Sequence, residues 1–209
     1  MLFSDALHIK KGITSIIGSG GKTSLMLRLA DELSQIGKVI VTTSTMIFLP
    51  THIRVVQELT DFEGCICIGT ACPNGKLTTP KESFEELAKH ADYVLVEADG
   101  SKHLPLKAHL SHEPVIVPNF HVICVVGASG LNQPIADAVH RWERFLELTG
   151  QTVASPEAVA AVLREENLAD RYLINQAETN LEAAKELAAL LPKPSVLSCL
   201  EKGEILCSF

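Results

Sequence analysis

The chain is poor in aromatic residues, with one Trp, two Tyr and seven Phe in 209 positions. Aliphatic side chains must therefore build most of the core, which fits a parallel sheet covered by helices. An excess of positive charge is also missing: 18 Lys and Arg face 25 Asp and Glu, for a formal net charge of −7. That balance argues against a general nucleic-acid binder. It does not exclude one small anionic ligand, because local charge decides that. No apolar run approaches the roughly 20 residues of a membrane span, so no membrane partner is expected. The first residues lack the charged start, apolar stretch and cleavage site of a signal peptide. None of the six cysteines forms a C-x-x-C pair. Most sit in apolar runs such as Cys65-Ile66-Cys67-Ile68, where a thiol acts as a small hydrophobe. A reduced, cytoplasmic protein is expected, with a metal or redox role for Cys65, Cys67 and Cys72 as the less favoured alternative.

What the chain does have is 46% apolar residues, enough for one α/β domain over residues 1–209 with a good core. Its most informative stretch is Ile13-Thr14-Ser15-Ile16-Ile17-Gly18-Ser19-Gly20-Gly21-Lys22-Thr23-Ser24. An apolar strand enters a glycine-rich turn, and the turn opens an amphipathic helix at a Lys-Thr pair. Glycines let backbone N–H groups approach an anion, and the helix N-terminus adds its positive dipole end. A lysine placed there neutralises outer phosphates, and a hydroxyl can sit on Mg²⁺. The reading is a site for a nucleoside triphosphate, ATP or another NTP, with Mg²⁺. The turn is shorter than the common G-x-x-x-x-G-K-[ST] loop, since Ile16 stands where that pattern needs glycine. Across these residues alone it is similar to the G-x-x-G-K-[ST] loop of the Mur ligases.

Periodicity predicts alternating strands and helices. Strands are expected at 13–17, 38–42, 66–68, 93–96, 121–126, 172–174, 195–199 and 204–207. Helices are expected at 22–35, 83–90, 135–148, 155–166 and 180–191. Residues 53–59 read as a short strand or helix, and 73–76 as a turn. In the helix from 155, Ser155 is the N-cap and Pro156 the first residue. The pattern adds up to a P-loop-type three-layer α/β sandwich with a mostly parallel sheet and a small helical subdomain at about 130–170.

In open parallel sheets, ligands sit beyond the carboxyl ends of strands. Four polar clusters obey that rule: residues 18–23, 42–45, 97–100 and 175–178. Glu97 and Asp99 form an acidic strand end able to reach Mg²⁺ directly or through water, and either one, with Thr23, is a candidate metal ligand. Lys22, Glu97 and Asp99 are the candidate catalytic residues. The candidate nucleotide-binding residues are Gly18, Ser19, Gly20, Gly21, Lys22, Thr23, Ser24, Thr43, Gly100, Lys102, Asn175 and Gln176. Asn175-Gln176-Ala177-Glu178 stands where GTPases carry a base-reading segment, as a loose match. The irregular stretch 101–119 carries Lys102, His103, Lys107, His109, His112 and Glu113. Its 101–113 part suits an anionic second substrate, although exposed histidines on a surface loop are the simpler account. His140 and Arg141 read as surface residues of a helix.

Several of these runs together resemble a known family. Val94-Leu95-Val96-Glu97-Ala98-Asp99-Gly100-Ser101-Lys102, Leu104-Pro105-Leu106-Lys107-Ala108 and His112-Glu113-Pro114-Val115-Ile116 are similar to the YqeC-type selenium-dependent hydroxylase accessory proteins. So are the 18–23 loop, His140-Arg141, Ser155-Pro156-Glu157-Ala158 and Asn175-Gln176. The stretch 126–131 departs from the resemblance by being smaller. The resemblance implies a P-loop nucleotide-binding protein that serves maturation of selenium-dependent molybdenum hydroxylases. It also implies that the 18–23 loop holds phosphates while Glu97, Asp99 and Lys102 line the same site. Two activities follow as expectations: an Mg-dependent NTPase or phosphotransferase, and a nucleotide-gated chaperone without significant turnover. A ligase working through an acyl phosphate is a third, weakened by the lack of accompanying domains.

Overall fold

A computed structural model describes residues 1–73, 75–116 and 120–209. Asn74 of the expected turn, and positions 117–119 at the end of the expected loop, lie outside the described residues. Among those described, nine strands form the main sheet: β1 (Gly12–Gly18), β2 (Val39–Thr43), β3 (Arg54–Val56), β4 (Cys65–Ile68), β5 (Tyr93–Glu97), β6 (His121–Gly127), β7 (Arg171–Asn175), β8 (Ser195–Cys199) and β9 (Glu204–Ser208). Their order is β9-β8-β7-β6-β1-β5-β2-β4-β3. All neighbours run parallel except the edge strand β9, which is antiparallel to β8. The fold is α/β, with a large, mostly parallel sheet flanked by helices.

The apolar runs are continuous because the strands are buried on both faces. On one face, helix α1 (Lys22–Leu33) packs Leu25, Met26, Leu29 and Leu33 against Ile16, Val41, Leu95, Val125 and Leu173. On the other, α3 (Pro156–Glu166) and α4 (Leu181–Leu190), which follow α2 (Trp142–Thr149), cover Ile17, Val126, Tyr172 and Ile174. Each fully buried aliphatic side chain contributes about 1.5–3 kcal/mol. Helix α3 begins as read: the Ser155 side chain accepts from Ala158 N at 3.3 Å, and Pro156 occupies the first turn.

The winding places the site. From β1 the chain builds β2, β3, β4 and β5 on one side, then crosses to build β6, β7, β8 and β9 on the other. The carboxyl end of β1 is therefore the topological switch point, where a crevice opens between diverging connections.

Two expected helices differ. The helix at 135–148 is broken: after a single turn at Ile135–Ala138, Val139–His140 pairs in parallel with Leu106–Lys107. Arg141 then takes a left-handed conformation before α2 begins. The ladder to a segment more than thirty residues away outcompetes helix continuation, and Val139 and His140 are buried by it. The helix at 83–90 shrinks to one turn, Phe84–Leu87, capped by Ser83. Residues 53–59 contribute β3. A small antiparallel sheet of Met46–Phe48, Lys76–Thr78 and Thr70–Ala71 was not foreseen.

Gly20 shows how tightly the turn is fitted. Its φ is +90°, and an added Cβ would lie 2.4 Å from Gly127 Cα. Gly20→Ala should therefore cost at least about 2 kcal/mol, combining backbone strain with overpacking. Gly64→Ala, at φ +68° in open space, should cost only about 1 kcal/mol. Urea unfolding of the two variants makes the comparison.

Candidate functional site

The carboxyl ends of β1, β2, β5 and β7 open on one cleft of about 800 Å³. Gly20, Gly21, Lys22, Thr23 and Ser24 form one part of its lining, and Thr45, Glu97, Gly100, Lys102 and Gln176 contribute others. The polar segments read separately along the chain do converge.

The glycine loop has a specific construction. Gly21 is the N-cap of helix α1, which has no side-chain cap. Among the described residues, the N–H groups of Gly20, Gly21, Lys22, Thr23 and Ser24 make no backbone hydrogen bond. A helix N-terminus left in this state attracts anions. The groups that point inward are held. Asn175 Nδ2 donates to Gly20 O at 2.7 Å, Gly18 N donates to Asp99 Oδ2 at 2.9 Å, and Ser19 Oγ donates to Leu104 O. Asn175 is itself braced, since its Oδ1 accepts from Leu200 N at 2.9 Å and Ser198 Oγ at 3.3 Å. It is a buried tie under the loop, and Gln176, which lines the cleft, accepts from Ser129 Oγ at 2.7 Å. Thr43 is fully buried and donates to Glu97 O at 2.8 Å. Thr45, two residues on, lines the cleft.

The two acids separate. Glu97 lines the cleft and accepts from Thr23 Oγ1 at 2.9 Å. Burial pushes its carboxyl above the usual range, only partly opposed by the Lys22 charge and the Thr23 bond. Asp99 lies behind the loop with no side-chain exposure, 3.0 Å from Lys22 Nζ, 3.3 Å from Lys107 Nζ and 2.8 Å from His109 Nε2. Burial alone would raise its pKa; the His109 bond and the two ammonium charges win and lower it to about 2. Lys22 is 4% exposed and also donates to Gly18 O at 2.7 Å and Ser101 Oγ at 3.1 Å.

The histidine-rich loop is only partly on the surface. His103 and His112 are exposed, but Lys107 and His109 are buried. The imidazole of His109 bridges Asp99 and Glu166, with Nδ1 2.7 Å from Glu166 Oε2. Burial opposes its charged form, but the bonds to both carboxylates outweigh it and raise its pKa. Lys107 Nζ also donates to Gly100 O and Glu113 Oε2, both at 2.7 Å, and Arg141 Nε donates to Glu113 Oε1 at 3.0 Å. His109 and Glu113 thus face different partners, and among the described residues no group of three or more His, Cys, Asp or Glu is placed to hold a metal ion. His140 and Arg141, read as helix-surface residues, line the cleft instead. Glu178, read with the base-reading segment, is not part of the lining. Phe48, Lys76 and Ser129 also line the cleft, and no local motif marks them. Away from the cleft, burial pushes the Cys65 and Cys67 thiols up to about 12.

A family model described as "YqeC protein" matches residues 14–143. The chain belongs to the YqeC family. It is 35% identical over 166 residues to the Escherichia coli (strain K12) protein described as "Uncharacterized protein YqeC", an overlap covering 67% of this chain and 61% of that protein. The chain thus spans less than two thirds of the length of its curated relative. No solved structure matches. The YqeC span holds the glycine loop, Glu97, Asp99, Lys107, His109, Glu113 and Arg141, whereas Glu166, Asn175 and Gln176 lie beyond it. Among the described residues no helix is long and apolar enough to cross a membrane.

Two measurements probe the buried charges. Asp99→Asn removes the acid that Lys22, Lys107 and His109 share, and should cost about 3–5 kcal/mol in urea unfolding. His109 has a folded pKa above its unfolded value of about 6.5. Its contribution is therefore fully present below pH of about 6.5 and is lost as pH rises through the folded value. Stability of the parent should fall across that window, and His109→Gln should flatten the fall; an NMR titration of the imidazole checks the direction of the shift.

Proposed function

We propose that this protein binds a nucleoside triphosphate, ATP in the first instance, with Mg²⁺. In this reading it acts in the cytoplasm as an accessory factor in maturation of selenium-dependent molybdenum hydroxylases. The chain is taken as one P-loop-type three-layer domain over residues 1–209, with a helical subdomain at about 130–170. The observation that carries the nucleotide reading is the unclaimed run of N–H groups from Gly20 to Ser24 at the switch point, with the Thr23–Glu97 hydroxyl–carboxylate pair at 2.9 Å beside it.

The chemistry follows from those groups. The loop N–H groups and the α1 dipole bind phosphate oxygens. Thr23 and Glu97 are the residues that would hold Mg²⁺, and a hydroxyl with one carboxylate suits a hard cation that keeps most of its waters. Bound there, the ion supplies neutralisation of phosphate charge. Lys22 adds a positive charge already fixed in position by Asp99, so Asp99 acts through the lysine. Gly100 and Lys102 offer an N–H and an ammonium to anions in the cleft, and Gln176 offers an amide. If turnover occurs, positioning and electrostatics carry it.

A second reading, a nucleotide-gated chaperone that delivers a cofactor or selenium species, is favoured by one fact. Of the two acids at the end of β5 only Glu97 reaches the cleft, so one β5 carboxylate would have to serve both the metal ion and an attacking water. The maturation role itself is supported by family resemblance and not by a feature of the cleft.

Thermal melts with Mg·ATP, Mg·GTP and Mg·CTP decide the first point. A ligand at 100 times its Kd should add about 2.7 kcal/mol. Thr23→Ala should weaken the Mg²⁺-dependent part of that gain, and Lys22→Ala should abolish it. No stabilisation by any nucleotide would sink the proposal. Steady-state hydrolysis that disappears in Lys22→Ala selects the enzyme; tight binding without turnover selects the chaperone.

A further inference from the structure

The cleft is large for a triphosphate chain alone, at about 800 Å³ against the roughly 300–1,000 Å³ of pockets that enclose whole drug-sized ligands. Another part of its lining has a different chemistry from the glycine loop. Phe48, on the short strand directly after β2, is 60% exposed. Its ring stacks near-parallel on His103, with centroids 6.4 Å apart and planes 27° apart, and Lys76 Nζ lies 4.3 Å from its centroid. An aromatic side chain this exposed in a cleft has apolar area to give to a ligand.

Backbone strain collects at the same place. Among the described residues seven non-glycine residues have positive φ. Four of them line the cleft: Lys102 (49°), His103 (61°), Arg141 (68°) and Gln176 (58°). Asn and His are enriched in this conformation; Lys, Arg and Gln are not, and each such residue costs about 1–3 kcal/mol. Two of the four, Lys102 and Arg141, bring cations to the lining. Among the described residues Lys102 makes no ion pair, and the Arg141 side chain makes a single bond, through Nε to Glu113.

We propose that this part of the cleft is a second-substrate subsite. It takes a planar aromatic ring system bearing a phosphate or carboxylate, with the ring on Phe48 and His103 and the anion on Lys102 and Arg141. Calling it a second substrate rests on the triphosphate reading of the glycine loop; the recognition chemistry does not.

The test uses the full chain saturated with Mg²⁺ and a non-hydrolysable ATP analogue, titrated calorimetrically with 2-naphthyl phosphate, 2-naphthoate and methyl phosphate. The naphthyl phosphate should bind at least tenfold tighter than methyl phosphate, and the naphthoate arm tells phosphate from carboxylate preference. Phe48→Ala should lose that tenfold advantage while its affinity for the ATP analogue stays within twofold of the parent. Arg141→Asn, which keeps a residue suited to the left-handed backbone, should weaken all three anions. Equal affinity for the naphthyl and methyl phosphates, or parent-like binding by Phe48→Ala, overturns the subsite. So does the finding that Phe48→Ala impairs association with an apo-hydroxylase while no naphthyl probe binds. If the ATP analogue itself does not bind, the triphosphate reading falls, and the same titrations run without it still decide the ring-and-anion site.

Discussion

Asp99 has no exposed side-chain surface, yet it stays ionised, with its pKa lowered to about 2. A buried carboxylate costs several kcal/mol unless opposite charges and hydrogen bonds surround it. Here Lys22, Lys107, His109 and the Gly18 N–H surround it, and these groups come from the β1–α1 turn and from the loop after β5. His109 then reaches Glu166 at the last turn of α3, where a cation also suits the helix dipole. Lys107 reaches Glu113, which reaches Arg141. One ionised group thus sets the relative position of the glycine loop, the loop carrying residues 101–113, and the segments on either side of α2 and α3.

That arrangement explains how a turn full of glycines keeps one shape. Its inward-facing groups are all spoken for: Gly18 N by Asp99, Gly20 O by Asn175, Ser19 Oγ by Leu104 and the lysine by Asp99. With those directions fixed, the N–H groups from Gly20 to Ser24 have only the cleft to face. An anion site whose donors are held by buried partners loses little entropy on binding, which is the physical content of preorganisation. The lysine is held by Asp99 as well, so any phosphate bound in the cleft would have to compete with Asp99 for it or share it.

The parts of this design written locally in the sequence were legible. Apolar runs marked the strands, Ser155-Pro156 marked the start of α3, and polar residues at strand ends marked the cleft. The parts that depend on distant partners were not. Nothing near His109 announces that Glu166 lies 57 residues away to take its Nδ1, so a histidine among polar neighbours reads as exposed. Val139 and His140 fit a helical pattern, and only the ladder to Leu106 and Lys107 makes them a strand. Asn175 looked like a ligand-facing amide because it ends a strand; its partners, Gly20 and Leu200, are visible only once the chain is folded. Phe48 carries no motif at all, and it becomes notable only because a two-sheet arrangement leaves it beside His103.

The strained rim and the buried charges belong to one balance. Lys102 and His103 lie between Gly100, whose carbonyl accepts from Lys107, and Leu104, whose carbonyl accepts from Ser19. Arg141 is tied through Glu113 to the same Lys107, and Gln176 follows the buried Asn175. Each left-handed residue is thus flanked by a backbone or side-chain group anchored to the network under the loop. Left-handed conformations of this kind persist only where the surroundings over-determine them, and here the over-determination comes from charges that water cannot reach. A substitution that weakens the network should therefore relax the rim as well as lower stability, which ties the geometry of the cleft to a carboxylate that does not touch it.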